Sequence, residues 1–281
     1  MRRILPPIPR PRWPLSRAEI DESHAQFRGA WRLFALGLSG GEVVERAEVI
    51  ITAGHVSWSL MNMAFLPKPA ETEADLERAV DSAARYFAQG PHGWAFTLTP
   101  DWLSPALRDK ADAVLASRGL KPGMFMTGMV ADRLLAPVRP PPKLDVRPVR
   151  DAWGYNAIAD VNAAAYDMPQ VLGREALAAP GIFGPECRAF VGCHDGAPGT
   201  TTAALRVDGL IYVALVATLP EHRRQGSAEA VLRHAHTEAR RAWGLERTVL
   251  HATPAGAPIY RRMGYRDVTG FVSYFAPAKG A

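Results

Sequence analysis

The residues with the clearest chemistry form one basic turn that contains glycine, Arg223-Arg224-Gln225-Gly226-Ser227-Ala228. An apolar run over residues 210–219 precedes the turn, and an amphipathic helical pattern over residues 229–243 follows it. The order predicts a strand, a tight turn and a helix N-terminus, where unpaired N–H groups favour anions. Gly226 would let the backbone approach a ligand, and the arginines would add charge-assisted hydrogen bonds. We therefore expect a phosphate cradle.

Other phosphate-binding motifs are missing from the sequence. No Gly-Lys-Ser/Thr occurs, which excludes a P-loop, and no Gly-x-Gly-x-x-Gly occurs, which argues against a dinucleotide fold. A basic turn can also serve only to begin a helix. A second signal lies further along, where a strand-like run over residues 247–252 and a Pro/Gly-rich loop precede Tyr260, Gly264 and Tyr265.

Taken together, these segments resemble the GNAT superfamily of acetyl-CoA-dependent N-acetyltransferases. Arg223-x-x-Gly226-x-Ala228 matches that family's Arg/Gln-x-x-Gly-x-Gly/Ala motif, and Tyr260 with Gly264-Tyr265 matches its Tyr-x-x-x-Gly-Phe/Tyr signature. The resemblance covers roughly residues 144–275. It implies an α/β (α+β) fold, with a mixed twisted sheet and helices on both faces, and acetyl-CoA as co-substrate with no metal.

The resemblance also implies the cofactor contacts. The backbone of Val216 and Thr218 would bond the pantetheine arm, and the N–H of Val216 would face the thioester oxygen. The pyrophosphate would bind the amides of the turn, which are those of Arg223, Arg224, Gln225, Gly226, Ser227 and Ala228.

Two residues are candidates for proton transfer. Tyr260 matches the family tyrosine that protonates the departing thiolate; the alternative is a core tyrosine that packs a short helix. Many relatives carry a glutamate in the strand that corresponds to residues 210–217, and this chain carries none. His251, at the end of the strand across the expected gap, is the candidate general base, directly or through water, and a histidine satisfied by local hydrogen bonds is the alternative.

The acceptor pocket is expected beside Tyr166, Asp167 and Met168, in a loop between two predicted helices. Asp167 could hold a cationic amine, or it could be an ordinary solvated carboxylate. The expected acceptor is a primary amine of a small molecule, or a protein N-terminus, acetylated by direct transfer in a ternary complex. A non-catalytic acyl-CoA-binding regulatory module is the alternative function.

The chain of 281 residues is long enough for two domains. Residues 136–143 include four prolines and predict a stiff linker between a domain over 1–135 and an acetyl-CoA-binding GNAT domain over 144–281. The first half resembles the degenerate N-terminal halves of tandem GNAT proteins, which keep the fold and lose the cofactor site; an unrelated α+β domain is the alternative. We therefore predict one acetyl-CoA per chain.

The element pattern supports this division. Asp195-Gly196 and Asp208-Gly209 predict hairpin turns. In the first half we predict helices over 17–36 (capped by Ser16), 74–87 and 105–117 (capped by Ser104), and strands over 43–53, 56–64, 93–98 and 121–130. In the second half we predict helices over 152–166, 174–178 and 229–243, and strands over 144–148, 187–193, 200–207, 210–217, 247–252 and up to residue 275.

The composition indicates which classes of ligand and binding partner are expected. The net charge is +5, and residues 220–265 carry eight arginines against four glutamates, which suits a polyphosphate ligand better than a nucleic-acid groove. Cys187 and Cys193 would lie about 20 Å apart along one strand, too far for a disulfide. The proline-broken N-terminus predicts no signal peptide, and no apolar run reaches transmembrane length. We expect a cytoplasmic monomer or homodimer without nucleic-acid or membrane partners.

Overall fold

A computed structural model of the protein describes residues 16–279. The N-terminal stretch that we predicted is not a signal peptide lies outside the described residues. The helices are α1 Arg17–Gly37, α2 Glu73–Phe87, α3 Pro105–Arg108, α4 Ala111–Ala116, α5 Ala152–Ala165, α6 Gln170–Leu177, α7 Ser227–Trp243 and α8 Ala257–Arg262. The strands are β1 Glu42–Glu45, β2 Ile50–Ala53, β3 Asn62–Phe65, β4 Trp94–Leu98, β5 Lys121–Ala131, β6 Asp145–Pro148, β7 Cys187–His194, β8 Ala197–Val207, β9 Leu210–Thr218, β10 Thr248–Ala252 and β11 Arg266–Ala276.

The strands form one continuous sheet in the order β1-β2-β3-β4-β11-β5-β10-β9-β8-β7-β6. The last strand, β11, lies between β4 and β5, and β5 in turn lies between β11 and β10. Each half of the chain therefore contributes a strand to the other half's side of the sheet. The division into domains at residues 136–143 stays a prediction, because the sheet runs across it.

Side chains of alternate residues on the central strands pack on opposite faces of the sheet, as the strand period requires. Tyr212 and Val249 join a core cluster that includes residues of α1 and α5. Ile211 and Leu250 join a second cluster that includes residues of α7 and α8. Helices thus cover both faces of a mixed sheet, and the predicted fold class is confirmed.

Local signals placed many of the element ends correctly. The Ser16 side chain accepts a hydrogen bond from the Glu19 N–H and begins α1. Both residues of each predicted hairpin turn have positive φ, 48° and 83° at Asp195-Gly196 and 46° and 77° at Asp208-Gly209, as a two-residue hairpin turn of type I′ requires. Cys187 and Cys193 are both free and buried.

Four predicted elements and one predicted helix cap were wrong in detail. The run over residues 43–53 folds back on itself as the hairpin β1–β2, because the Arg46 N–H bonds the Val49 carbonyl. The helix predicted over 105–117 is broken into α3 and α4 by a turn in which the Lys110 N–H bonds the Leu107 carbonyl.

Ser104 does not cap α3 through its side chain, because its hydroxyl donates to the Glu71 carbonyl instead, at 2.8 Å. The short helix expected at 174–178 spans Gln170–Leu177, and the strand expected over 56–64 is only Asn62–Phe65. Within residues 16–279, no helix has both the length and the apolarity needed to cross a bilayer.

Candidate active site

The parallel strands β9 and β10 separate at one end. They pair from Ile211 to Val213, whereas β9 continues to Thr218. At Leu215 the backbone has φ +51°, and the pairing of β9 with β8 shifts register there. The shift is a β-bulge, which bends a strand and re-aims its side chains. A gap between β9 and β10 follows.

The bulge is held by two buried polar side chains. The Thr201 hydroxyl donates to the Leu215 carbonyl at 2.8 Å, and the Asn162 amide donates to the Thr201 hydroxyl at 3.0 Å. A positive φ at a leucine is strained and persists only where its surroundings hold it. These bonds from β8 and α5 supply that support and keep the gap open.

Helix α7 begins beyond this gap with an open N-terminus. Its N-cap residue is Gly226, with φ +84°, and no side chain caps it. The N–H groups of Ser227, Ala228 and Glu229 have no acceptor among residues 16–279. A Cβ added to Gly226 would meet only Pro142, at 3.5 Å. The turn is therefore accessible to an anion, as a phosphate cradle requires.

The side chains of the motif have different tasks. Arg223 braces the backbone, since its guanidinium donates to the carbonyls of Thr218 at 3.1 Å and Ala165 at 3.0 Å. Arg224 has φ +64° and an exposed side chain with no partner among the described residues. Arg224 is thus the arginine free to bind a phosphate.

The two other polar side chains of the motif support the turn. The Gln225 amide donates to the Glu221 carbonyl at 2.9 Å, within the turn. The buried Ser227 hydroxyl lies 3.2 Å from His194 Nε2. Both side chains already have partners, which leaves the backbone amides at these positions as the groups open to an anion.

Of the three predicted acceptor residues, Tyr166 contacts the strand at the gap. The Tyr166 hydroxyl donates to the Val216 carbonyl at 3.1 Å, which joins the end of α5 to β9. Asp167 has φ +53° and is exposed, and no cation among residues 16–279 pairs with it. Met168 is partly buried, and its N–H bonds the Ala163 carbonyl. The structure brings Tyr166 and Val216 together and leaves Asp167 in solvent.

Tyr260 is buried on α8, with 8% of its surface exposed, and its ring packs edge-on against Tyr265. Burial, followed by the neighbouring phenols of Tyr166 and Tyr265, raises the pKa of Tyr260 far above its usual value. Its hydroxyl makes no hydrogen bond to any of the described residues. Tyr260 is thus a protonated phenol whose donor is available to a ligand.

His251 lies beside the gap in an aromatic environment, stacked on Phe27 of α1 with ring centroids 4.3 Å apart. Its Nδ1 lies 2.9 Å from the Tyr212 hydroxyl and its Nε2 lies 3.2 Å from the Ser23 hydroxyl. Burial lowers the pKa of His251 to about 3. Both ring nitrogens are engaged and the imidazole is weakly basic, so this environment argues against the general-base assignment, which stays a prediction.

Sequence reasoning missed two features near the site. Tyr212 is fully buried and contacts His251, whereas its place in an apolar strand predicts only a core side chain. His194 and His222 stack face to face with centroids 3.8 Å apart, next to Ser227. The two histidines are 28 positions apart in the sequence, so no local spacing could have revealed their contact.

Comparison with known proteins agrees with this geometry. Residues 185–267 match the family model "Acetyltransferase (GNAT) domain". No curated protein matches.

Similar solved structures, including the following three, cover most of the chain. A GCN5-related N-acetyltransferase from Kribbella flavida is 22% identical, with a TM-score of 0.68, over 93% of this chain and 95% of that chain. An acetyltransferase of the GNAT family from Novosphingobium aromaticivorans is 15% identical, with a TM-score of 0.53, over 89% and 99%. A tandem GNAT protein from the clavulanic acid biosynthesis pathway is 14% identical, with a TM-score of 0.51, over 95% and 98%.

The fold over nearly the whole chain is therefore that of tandem GNAT proteins. Residues 185–267, in the C-terminal part, are similar to the GNAT acetyltransferase domain, and the three solved structures, 14–22% identical, show the shared fold.

Proposed function

We propose that the second half of the chain binds acetyl-CoA and transfers its acetyl group directly to a primary amine, either of a small molecule or of a protein N-terminus. The observation that carries the proposal is the parting of β9 from β10, which leads into the uncapped N-terminus of α7. The alternative, that the basic turn only begins a helix, does not explain why the gap between β9 and β10 and the uncapped N–H groups of α7 lie in one place.

The residues present fit acetyl-CoA. The open amides of Ser227, Ala228 and Glu229, together with the free guanidinium of Arg224, suit a pyrophosphate. The carbonyls of β9 next to the gap each accept one bond, Val216 from Tyr166 and Thr218 from Arg223. A carbonyl oxygen has two lone pairs, so a pantetheine amide can still bond to this backbone.

Acetyl-CoA supplies the activated thioester when bound. Tyr260 would hold the proton that the leaving thiolate needs, because its raised pKa keeps the phenol neutral. His251 is not used in this proposal, because an imidazole whose pKa is about 3 removes a proton from an amine poorly. The acceptor amine would therefore have to arrive neutral and attack the thioester carbon as the C–S bond breaks. The proton that its nitrogen then loses would replace, directly or through water, the one that Tyr260 gives to the thiolate. The rate should rise with pH towards the pKa of that amine.

The remaining assignments are also proposals. Tyr166, Asp167 and Met168 would line the acceptor side. No group of three or more potential metal ligands occurs within residues 16–279, and the chemistry proposed needs no metal. We infer a cytoplasmic monomer or homodimer that acts without nucleic acid or membrane.

A free-thiol release assay tests the proposal. Wild-type protein and acetyl-CoA would be mixed with amines, amino acids, aminoglycosides and N-terminal peptides, and thiol would be measured with and without each acceptor. Thiol release that depends on one acceptor class, with the acetylated product seen by mass spectrometry, is expected. Tight acetyl-CoA binding without any acceptor-dependent release would instead favour a regulatory acyl-CoA-binding module.

A further inference from the structure

The proline-rich linker runs along the cofactor side of the second half. The Leu135 N–H bonds the Met263 carbonyl after α8, and the Leu135 carbonyl accepts from Arg233 of α7 at 2.7 Å. At the other end of the linker, Pro142 lies against the N-cap glycine of α7, Gly226. The linker thus extends from the end of α8 to the turn at Gly226, which we call the phosphate turn.

Close packing of Leu135 against Gly264 fixes the N-terminal end of the linker. Gly264 has φ +100°, and a Cβ there would lie 2.8 Å from the Leu135 side chain. Arg233 ties down the linker and also pairs with Glu229, the acid in the first turn of α7. The same arginine therefore orders the linker and neutralises the carboxylate closest to the turn in sequence.

Lys143 follows directly after Pro142. It is exposed, and no carboxylate among the described residues pairs with it. Strand β6 begins two residues later, with Asp145 paired to Cys193 of β7. Lys143 is therefore held between a proline anchored at the turn and a strand anchored in the sheet. A stiff, proline-rich segment loses little further entropy when its cation binds a ligand.

We propose that Lys143 of the linker binds the 3′-phosphate of CoA, which makes the protein selective for CoA over dephospho-CoA. This inference rests on the proposed function. The turn at Gly226 has donors for the pyrophosphate, and a further cation would bind the third phosphate. Lys143 is an exposed lysine that directly follows Pro142, the residue against Gly226, and a lysine is a compact point charge suited to a phosphate.

The test compares the dissociation constants of acetyl-CoA and acetyl-dephospho-CoA by calorimetry. Wild-type protein should bind acetyl-CoA about tenfold more tightly, as one charge-assisted contact allows. Lys143→Ala should weaken acetyl-CoA binding about tenfold and leave acetyl-dephospho-CoA unchanged. Lys143→Glu should bind acetyl-dephospho-CoA more tightly than acetyl-CoA, because the new carboxylate repels the third phosphate.

Lys68→Ala is the matched control, because Lys68 is also exposed beside a proline, in the turn of the first half. This variant should keep the wild-type preference for acetyl-CoA. Equal binding of both ligands by wild type, or an equal loss for both in Lys143→Ala, would overturn the assignment of Lys143. If wild type binds neither ligand, the cofactor proposal itself fails.

Discussion

Each half of the chain contains a strand, a turn, a helix and a parallel strand in that order, but the helix N-terminus is capped in the first half and uncapped in the second. In the first half β3 leads through a turn into α2 and then to the parallel strand β4; in the second, β9 leads through a turn into α7 and then to the parallel strand β10. Helix α2 begins with a complete capping box, in which the Thr72 hydroxyl accepts from the Asp75 N–H and the Asp75 carboxylate accepts from the Thr72 N–H. Helix α7 begins with an uncapped glycine.

The gap between the parallel strands differs as well. In the first half, the chain after β3 crosses to the chain after β4, where the Ala70 N–H bonds the Trp102 carbonyl and the Ser104 N–H bonds the Ala70 carbonyl. These bonds close the opening that separates β9 from β10 in the second half. The first half therefore has a capped helix and a bridge where the second half has an uncapped helix and a gap.

The turn before α2 and the turn before α7 also differ in their charged residues. A cleft of about 840 Å³ lies at the first-half turn, and its lining mixes four acids with three bases. Two of those acids, Glu71 and Asp75, lie at the start of α2, where they compete with any anion. The turn at α7 instead presents Arg224 and open amides. We expect only the second to bind a polyphosphate.

The largest expected effect is that of Tyr260→Phe on turnover. The ring and its packing stay, and only the hydroxyl that would protonate the thiolate is lost. We expect kcat to fall by about 10²–10⁴-fold, while the acetyl-CoA dissociation constant changes little. Steady-state kinetics on any identified acceptor, with calorimetry for binding, would show this split. Turnover within about twofold of wild type would mean that another group donates the proton.

Gly226→Asp should abolish acetyl-CoA binding, since a carboxylate would stand at the phosphate turn. Acetyl-CoA should raise the melting temperature of wild type and leave that of the variant unchanged. Gly119→Asp in the first half is the control, because Gly119 also has a positive φ, +78°, and open surroundings. Its shift should equal that of wild type. Similar shifts in all three proteins would remove the cofactor assignment.

Binding stoichiometry tests the contrast between the halves directly. Calorimetry on wild type should give one acetyl-CoA per chain, and Gly226→Asp should leave none. A second, equivalent site would contradict the view that the capping box and the Ala70 bridge close the first half.

Buried His251, where α1 packs on β10, predicts an effect of pH on the stability of the protein. The folded pKa of His251, about 3, lies below the ordinary value of 6.5, so the unfolded chain binds the extra proton between these values. Stability should therefore fall as the pH falls from about 6.5 towards 3, by at most about 2 kcal/mol from this residue at pH 5.

Urea unfolding of His251→Gln at pH 7 and pH 5 would measure this effect. The variant should lose less stability than wild type on acidification. Exposed His234 offers a control, since His234→Gln should keep the wild-type pH dependence. A variant as acid-sensitive as wild type would show that other groups, such as buried His24, dominate.

The smallest effect is expected from Thr72→Ala, which removes the cap of α2. The free energy of unfolding should fall by about 1 kcal/mol in urea titrations, because an orphan N–H loses its acceptor. Thr237→Ala, at an exposed position inside α7, should change it by less than about 0.5 kcal/mol. The Thr72 variant should still bind one acetyl-CoA. A second site would show that capping alone closes the first half.

Local signals in the sequence account for much of the proposed cofactor site. The turn at Gly226 and the signature at Tyr260 were found from residue types and short spacings, and so were the hairpin turns at Asp195 and Asp208. Each depends on backbone preferences within a few residues, such as a positive φ at glycine or an uncapped helix N-terminus. The same reasoning could not separate the bracing Arg223 from the free Arg224, because their partners lie in other elements.

The sequence by itself determined most of the strands and helices, the two hairpin turns and the absence of the basic glycine motif from the first half. Only the tertiary structure decided that β11 lies between β4 and β5, that α1 packs on His251, and that Thr201 and Asn162 hold the bulge at Leu215. The physical reason is that these contacts join residues that are far apart in the sequence. An alternating apolar strand packs equally well against many partners, so its neighbours are chosen by the lowest free energy of the whole sheet, which no short stretch of sequence encodes.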